Sequence, residues 1–130
     1  PFYRQCHEIY ETLSNATDAK GRKLKVHKLP MPEKPCFMSE EEANSIDLVN
    51  PRTAQDEPQI ASYMNYLVTN HGCIVPQYGD KNDALAVETL QKIYDETWGA
   101  GVYRCIGVDS RQVVYGGGNI HCITQQEPSA

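Results

Sequence analysis

No two of the five cysteines, at positions 6, 36, 73, 105 and 122, form a Cys-x-x-Cys pair. An odd count without that spacing speaks against a closed disulfide framework and against a zinc knuckle. No apolar run approaches the roughly 20 residues a membrane-crossing helix needs. The opening PFYRQCHEIY is too mixed and polar for a signal peptide. Positive charge is in deficit: the net charge is −5 and the isoelectric point about 5.3. A phosphate-neutralising surface is therefore not expected, and neither nucleic acid nor membrane is an expected partner. What remains is ordinary for a folded chain, 40% hydrophobic and 22% charged, which excludes collagen, coiled coil and disorder. Unpaired thiols fit a reducing compartment, most simply the cytoplasm.

Phe2, Cys6, Ile9, Tyr10 and Leu13 follow helical spacing from the first residues, with no start signal before them. That pattern fits a chain entered part-way along, or equally a frayed terminus. Turn residues 15–21 end the helix. Lys23–Leu29 then alternates polar and apolar as a half-buried strand does, until Pro30 and Pro32 stop it. Residues 33–59 show the least pattern, except that Ser39 and Glu42 form a capping box for a helix to about Asp47. Two strands are expected at Ala61–Thr69 and Cys73–Gln77, joined by Asn70-His71-Gly72, whose Asn and Gly tolerate positive φ. Asp80 reads as the cap of a helix with Asp83 at N3 and a buried stripe of Ala86, Val87, Leu90, Ile93 and Tyr94. Trp98-Gly99 closes that helix, Val102–Val108 returns as a strand, and Asn119–Gln125 reads as a last one. Residues 61–108 thus spell a β-β-α-β unit, and the helix-then-strand before it hints at an internal repeat. The fold class expected is α+β.

Four histidines and five cysteines invite a metal reading, but no pair has ligand spacing on an expected helix or turn. His121 and Cys122 are adjacent, and neighbours on a strand face opposite ways. The run Gly116-Gly117-Gly118 lacks the Lys-Ser/Thr and following helix of a phosphate loop. Three glycines either let the backbone approach a ligand or let it bend sharply into a buried strand. Cys6, Cys36, Cys73 and Cys105 read as small buried hydrophobes. Cys122 alone combines a backbone-permissive entry with the polar run Thr124-Gln125-Gln126, as an exposed nucleophile requires.

The block Gly116-Gly117-Gly118-Asn119-Ile120-His121-Cys122-Ile123-Thr124-Gln125-Gln126 resembles the C-terminal signature of the agmatine deiminases, guanidine-modifying enzymes of the pentein fold. Val26-His27-Lys28-Leu29-Pro30-Met31-Pro32, Ala61-Ser62-Tyr63-Met64-Asn65-Tyr66 and Ile74-Val75-Pro76-Gln77-Tyr78-Gly79-Asp80 support the likeness, in the family's order. The resemblance implies that residues 1–130 form the C-terminal part of a pentein, an α/β-propeller of β-β-α-β modules, with one complete module near 61–108. It makes Cys122 the nucleophile of a hydrolase that converts a guanidinium to a ureido group plus ammonia through an amidino-cysteine adduct. Agmatine would give N-carbamoylputrescine, a step of putrescine and polyamine biosynthesis, with no metal or organic cofactor. Asn65, Gly117 and Gly118 are weaker candidates for lining the substrate pocket.

The sequence departs from that family in one respect. The family's general acid/base His, its Asp partner and an acidic guanidinium ligand lie upstream of the matched blocks, and the chain has no His-x-Asp. His27 and His71 read as solvent-facing or structural. The chain alone is therefore expected to be inactive, and to associate with itself as a homo-oligomer or require a missing N-terminal segment. The alternatives are a peptidylarginine deiminase-like enzyme and a non-catalytic remnant serving as an interaction domain.

Overall fold

The structure, a computed structural model, describes residues 2–45 and 57–128. Its elements run α1 (Phe2–Asn15), α2 (Glu40–Ser45), β1 (Leu67–Thr69), β2 (Gly72–Gln77), α3 (Asp83–Trp98), β3 (Arg104–Asp109) and α4 (Arg111–Val114). The architecture is a mixed α+β arrangement around one three-stranded sheet of order β1-β2-β3. β1 pairs antiparallel with β2, and β2 pairs parallel with β3 from Gly72↔Arg104 to Gln77↔Asp109. A parallel pair needs a crossover, and α3 supplies it.

The 3.6-residue stripe of α3 sets the core. Ala86 and Leu90 are buried on it, with Val87 and Tyr94 half-buried, against Tyr63, Cys73, Val75, Tyr78, Cys105 and Val114. Each large apolar side chain so buried is worth about 1.5–3 kcal/mol. Cys73 and Cys105 are register partners on β2 and β3, and the Cys73 thiol donates to Cys105 Sγ at 2.9 Å. Burial pushes both thiols up, so they pack as hydrophobes, as expected for them.

Several sequence expectations need correcting. Lys23–Leu29 makes no strand: one isolated bridge joins Lys23 to Thr17, and β1, β2 and β3 pair only with one another. The strand expected from Ala61 shrinks to Leu67–Thr69, because residues 63–65 turn instead. The hairpin loop sits where expected, yet no non-glycine residue described has positive φ and Gly72 lies within β2. α3 begins at Asp83 rather than after Asp80. Asp80 instead accepts N–H bonds from Asn82 and from Glu33 and Lys34 of the preceding loop. The Asp83 carboxylate reaches back to the N–H groups of Tyr78, Gly79 and Asp80 and accepts the Tyr63 hydroxyl at 2.7 Å.

The capping box forms as the spacing requires: Ser39 N–H donates to Glu42 at 2.8 Å, and Glu42 N–H to Ser39 Oγ at 3.2 Å. Ile46 and Asp47, the expected end of that helix, and Pro51 lie outside the described residues. α1 forms over the expected residues, but Cys6, Ile9 and Leu13 along it are exposed, so Cys6 is not the buried thiol expected. No described helix is long and apolar enough to cross a membrane.

Candidate active site around Cys122

The chain reaches Cys122 through a tight descent from α4. Gly116 and Gly117 donate N–H bonds to Val113 and Val114, and Gly117 takes φ of 85°, a conformation that favours glycine. Asn119 then plunges into the interior with no exposed surface. Its side-chain oxygen accepts the Ile120 N–H at 2.8 Å, and its carbonyl accepts the N–H of Ile123 at 3.2 Å. Those bonds close a turn over residues 120–123, so the strand expected at Asn119–Gln125 is absent. The opposite-face argument separating His121 from Cys122 falls with it; both are exposed on consecutive turn positions.

Asn65 meets this turn from a second segment. Its Nδ2 donates to Cys122 Sγ at 2.9 Å, its Oδ1 accepts the Cys122 N–H at 3.2 Å, and its carbonyl accepts the His121 N–H at 3.3 Å. Both polar atoms of the Asn65 side chain thus face Cys122. Gly118 comes close as well: a Cβ there would stand 2.8 Å from Cys122 Cβ and 3.0 Å from its Sγ. The Cys122 thiol is lowered from its ordinary range, first by the Asn65 hydrogen bond and then by a backbone bond from Asn119. Both are neutral donors that favour the thiolate.

One hydroxyl holds the two segments together. Tyr78, at the end of β2, donates to the Ser62 carbonyl at 3.0 Å while accepting the Ser62 N–H at 3.0 Å and the Asn119 amide at 3.1 Å. Residue 62 leads into Asn65 and residue 119 into Cys122, so this buried oxygen sets the separation of carboxamide and sulfur. Sequence reasoning missed Tyr78, because a tyrosine closing a hydrophobic strand carries no local sign of such a task. Tyr78→Phe leaves three polar groups without their partner, and we expect it to cost about 2–4 kcal/mol. A denaturant melt within about 0.5 kcal/mol of wild type would show the hydroxyl to be dispensable.

His27 and His71, read from the sequence as solvent-facing or structural, are exposed, and His27 lines a cavity of about 400 Å³ with Leu29, Tyr66 and Trp98. Among the described residues no three His, Cys, Asp or Glu side chains gather as a metal site would require.

A family model for Porphyromonas-type peptidyl-arginine deiminase matches residues 1–128. The chain belongs to this deiminase family. Among its relatives, a candidate agmatine deiminase of Lactococcus lactis is 48% identical over 131 residues, covering 100% of this chain and 34% of its own length. A counterpart from Streptococcus mutans is 45% identical and covers 99% of this chain and 33% of itself. The solved agmatine deiminase of Enterococcus faecalis, captured catalysing its reaction, superposes with a TM-score of 0.83 at 49% identity, over 98% of this chain and 33% of that one. The chain thus spans about a third of the length of the relatives it matches.

Proposed function

We propose that this deiminase-family chain carries the nucleophile of a cysteine-dependent guanidine hydrolase, with agmatine as the substrate and N-carbamoylputrescine and ammonia as products. The observation that carries the reading is Cys122: an exposed thiol, its pKa lowered, faced by an amide N–H and delivered by a turn that follows three glycines. A guanidinium is resonance-stabilised and weakly electrophilic, so a thiolate is the nucleophile its central carbon demands. Cys122 Sγ bonds to that carbon, and the bond to one terminal nitrogen breaks as that nitrogen takes up a proton and leaves as ammonia. Water then adds to the amidino carbon and gives up its protons. The C–S bond breaks, leaving the ureido product and a free thiolate.

The Cys122 thiol is lowered by hydrogen bonds from two neutral donors, neither of which can take up its proton. The family resemblance assigns proton transfer to a His–Asp pair and the guanidinium grip to a further acid, all outside these residues. The isolated chain is therefore expected to release no ureido product from agmatine. Product from the pure chain, abolished by Cys122→Ala, would overturn that expectation. Completed with the part of its relatives that it does not span, the protein is expected to turn over agmatine and to be labelled by a haloacetamidine at Cys122. Mass spectrometry finding the label elsewhere and Cys122 untouched sinks the reading.

The matching family model's description favours a second reading, in which peptidyl-arginine is the substrate. Comparing turnover of agmatine with that of a peptidyl-arginine separates the two. In the wider setting, we place the protein in the cytoplasm, because its five thiols are free, and in polyamine supply, because the proposed product is N-carbamoylputrescine.

A further inference from the structure

We propose that the Asn65 carboxamide is the partner that holds the Cys122 sulfur as an anion ready to attack, rather than a ligand for substrate; this rests on the reading of Cys122 as nucleophile. The orientation of the amide settles its chemistry. The Cys122 backbone N–H can only donate, so the group it meets at 3.2 Å must be the carboxamide oxygen. With Oδ1 committed there, Nδ2 is turned toward Sγ, 2.9 Å away. An NH₂ group can only donate, so the sulfur must accept. A thiolate accepts such a bond far better than a thiol, and an ionised acceptor roughly doubles its strength.

The neighbouring contacts make this arrangement hard to escape. The Asn65 carbonyl is tied to the His121 N–H at 3.3 Å, so the backbones of both partners are coupled as well as their side chains. The Tyr78 hydroxyl anchors the two segments three residues before each partner. The bare backbone of Gly118 fills the space where any Cβ would press on the cysteine. Each polar atom of the Asn65 side chain already bonds to Cys122, so the group is oriented by the cysteine and not by the open side of the site. Because the donors are neutral and in contact, the effect is local and should survive high salt, unlike one exerted by distant cations.

The experiment follows iodoacetamide alkylation of Cys122 against pH in the 130-residue chain. The Cys122 peptide is quantified by mass spectrometry so that exposed Cys6 does not interfere. In the wild type the midpoint is expected below that of the same peptide in the denatured chain, in both 0.05 and about 1 M salt. Asn65→Asp keeps an oxygen for the Cys122 N–H but replaces the donor facing sulfur with an anionic acceptor. Its midpoint is expected to rise above the denatured value, with a loss of about tenfold or more in rate at neutral pH. The new anion would raise the midpoint on its own, so the deciding variant is Asn65→Ala, which removes the donor without adding charge. Its midpoint is expected to return to the denatured value. A purely structural role for Asn65 would leave it at the wild-type value, and that result in a folded chain overturns the proposal, as does an unmoved midpoint in Asn65→Asp. Failure of haloacetamidine to label Cys122 would sink the nucleophile reading yet leave the midpoint shift in place. Normal labelling with no shift would sink the Asn65 assignment alone.

Discussion

Cys122→Ala, in the protein completed to the length of its relatives, is expected to lower guanidine turnover by about 10³-fold or more, to the level of background. Removing the sulfur removes the atom that carries the amidine carbon between the two half-reactions, and no neighbouring group replaces it. Cys122→Ser should be nearly as inactive. A hydroxyl ionises far above a thiol, and two neutral donors stabilise an anion already formed without creating one from an alcohol. Cys6→Ser is the matched control, since Cys6 is likewise exposed but lies on α1, away from this turn. Single-turnover release of ureido product, read for all three variants, decides the matter. Retention of activity within about tenfold in Cys122→Ala would remove this residue from the chemistry.

Gly72→Ala is expected to be the most damaging conservative change to the fold. A Cβ at this position would stand 1.9 Å from the carbonyl oxygen of Arg104 and 2.9 Å from its carbon. Both obstacles are backbone of the paired strand, so no rotamer change relieves them. β2 and β3 would have to part at the first pair of their register, Gly72↔Arg104. Next along lies Cys73↔Cys105, the centre of the buried cluster. The expected loss is about 3 kcal/mol or more, within the range of overpacking against an element that cannot yield. Gly116→Ala serves as the contrast. A Cβ there meets only the Val113 carbonyl at 3.6 Å, an ordinary contact, and its φ is not positive. Its stability should stay within about 0.5 kcal/mol of wild type or rise slightly. Equal denaturation midpoints for the two variants would show that the sheet absorbs the intrusion.

How far the sequence disclosed this molecule depends on whether the decisive bonds were local. The α3 stripe was legible because a period of 3.6 residues puts Ala86 and Leu90 on one side, and both are buried. The Ser39–Glu42 capping box was legible for the same reason, since its partners stand three residues apart. The turn at Asn119–Ile123 was not. Its alternation is that of a strand, but the Asn119 side chain captures the neighbouring N–H and offers the chain a different set of hydrogen bonds from a ladder. Lys23–Leu29 failed in another way: its pattern suits a strand, while the sheet places no partner beside it. At the site, Cys122 stood out through its glycine approach and its resemblance to a family signature. Asn65 stood out only as a candidate for lining the pocket and not for its bond to Cys122, because 57 residues separate it from the sulfur it faces and no spacing rule spans that distance. Tyr78 was invisible for the same reason.

The bond pattern of the Tyr78 hydroxyl has a consequence for biogenesis. Two of its three bonds go to residue 62 and one to residue 119, on either side of it in the chain, so the arrangement is complete only when the segment carrying residue 119 has docked on the sheet. On the proposed role of Asn65, a half-open chain would therefore carry at this position a thiol of ordinary reactivity, sharpened only once the two segments meet.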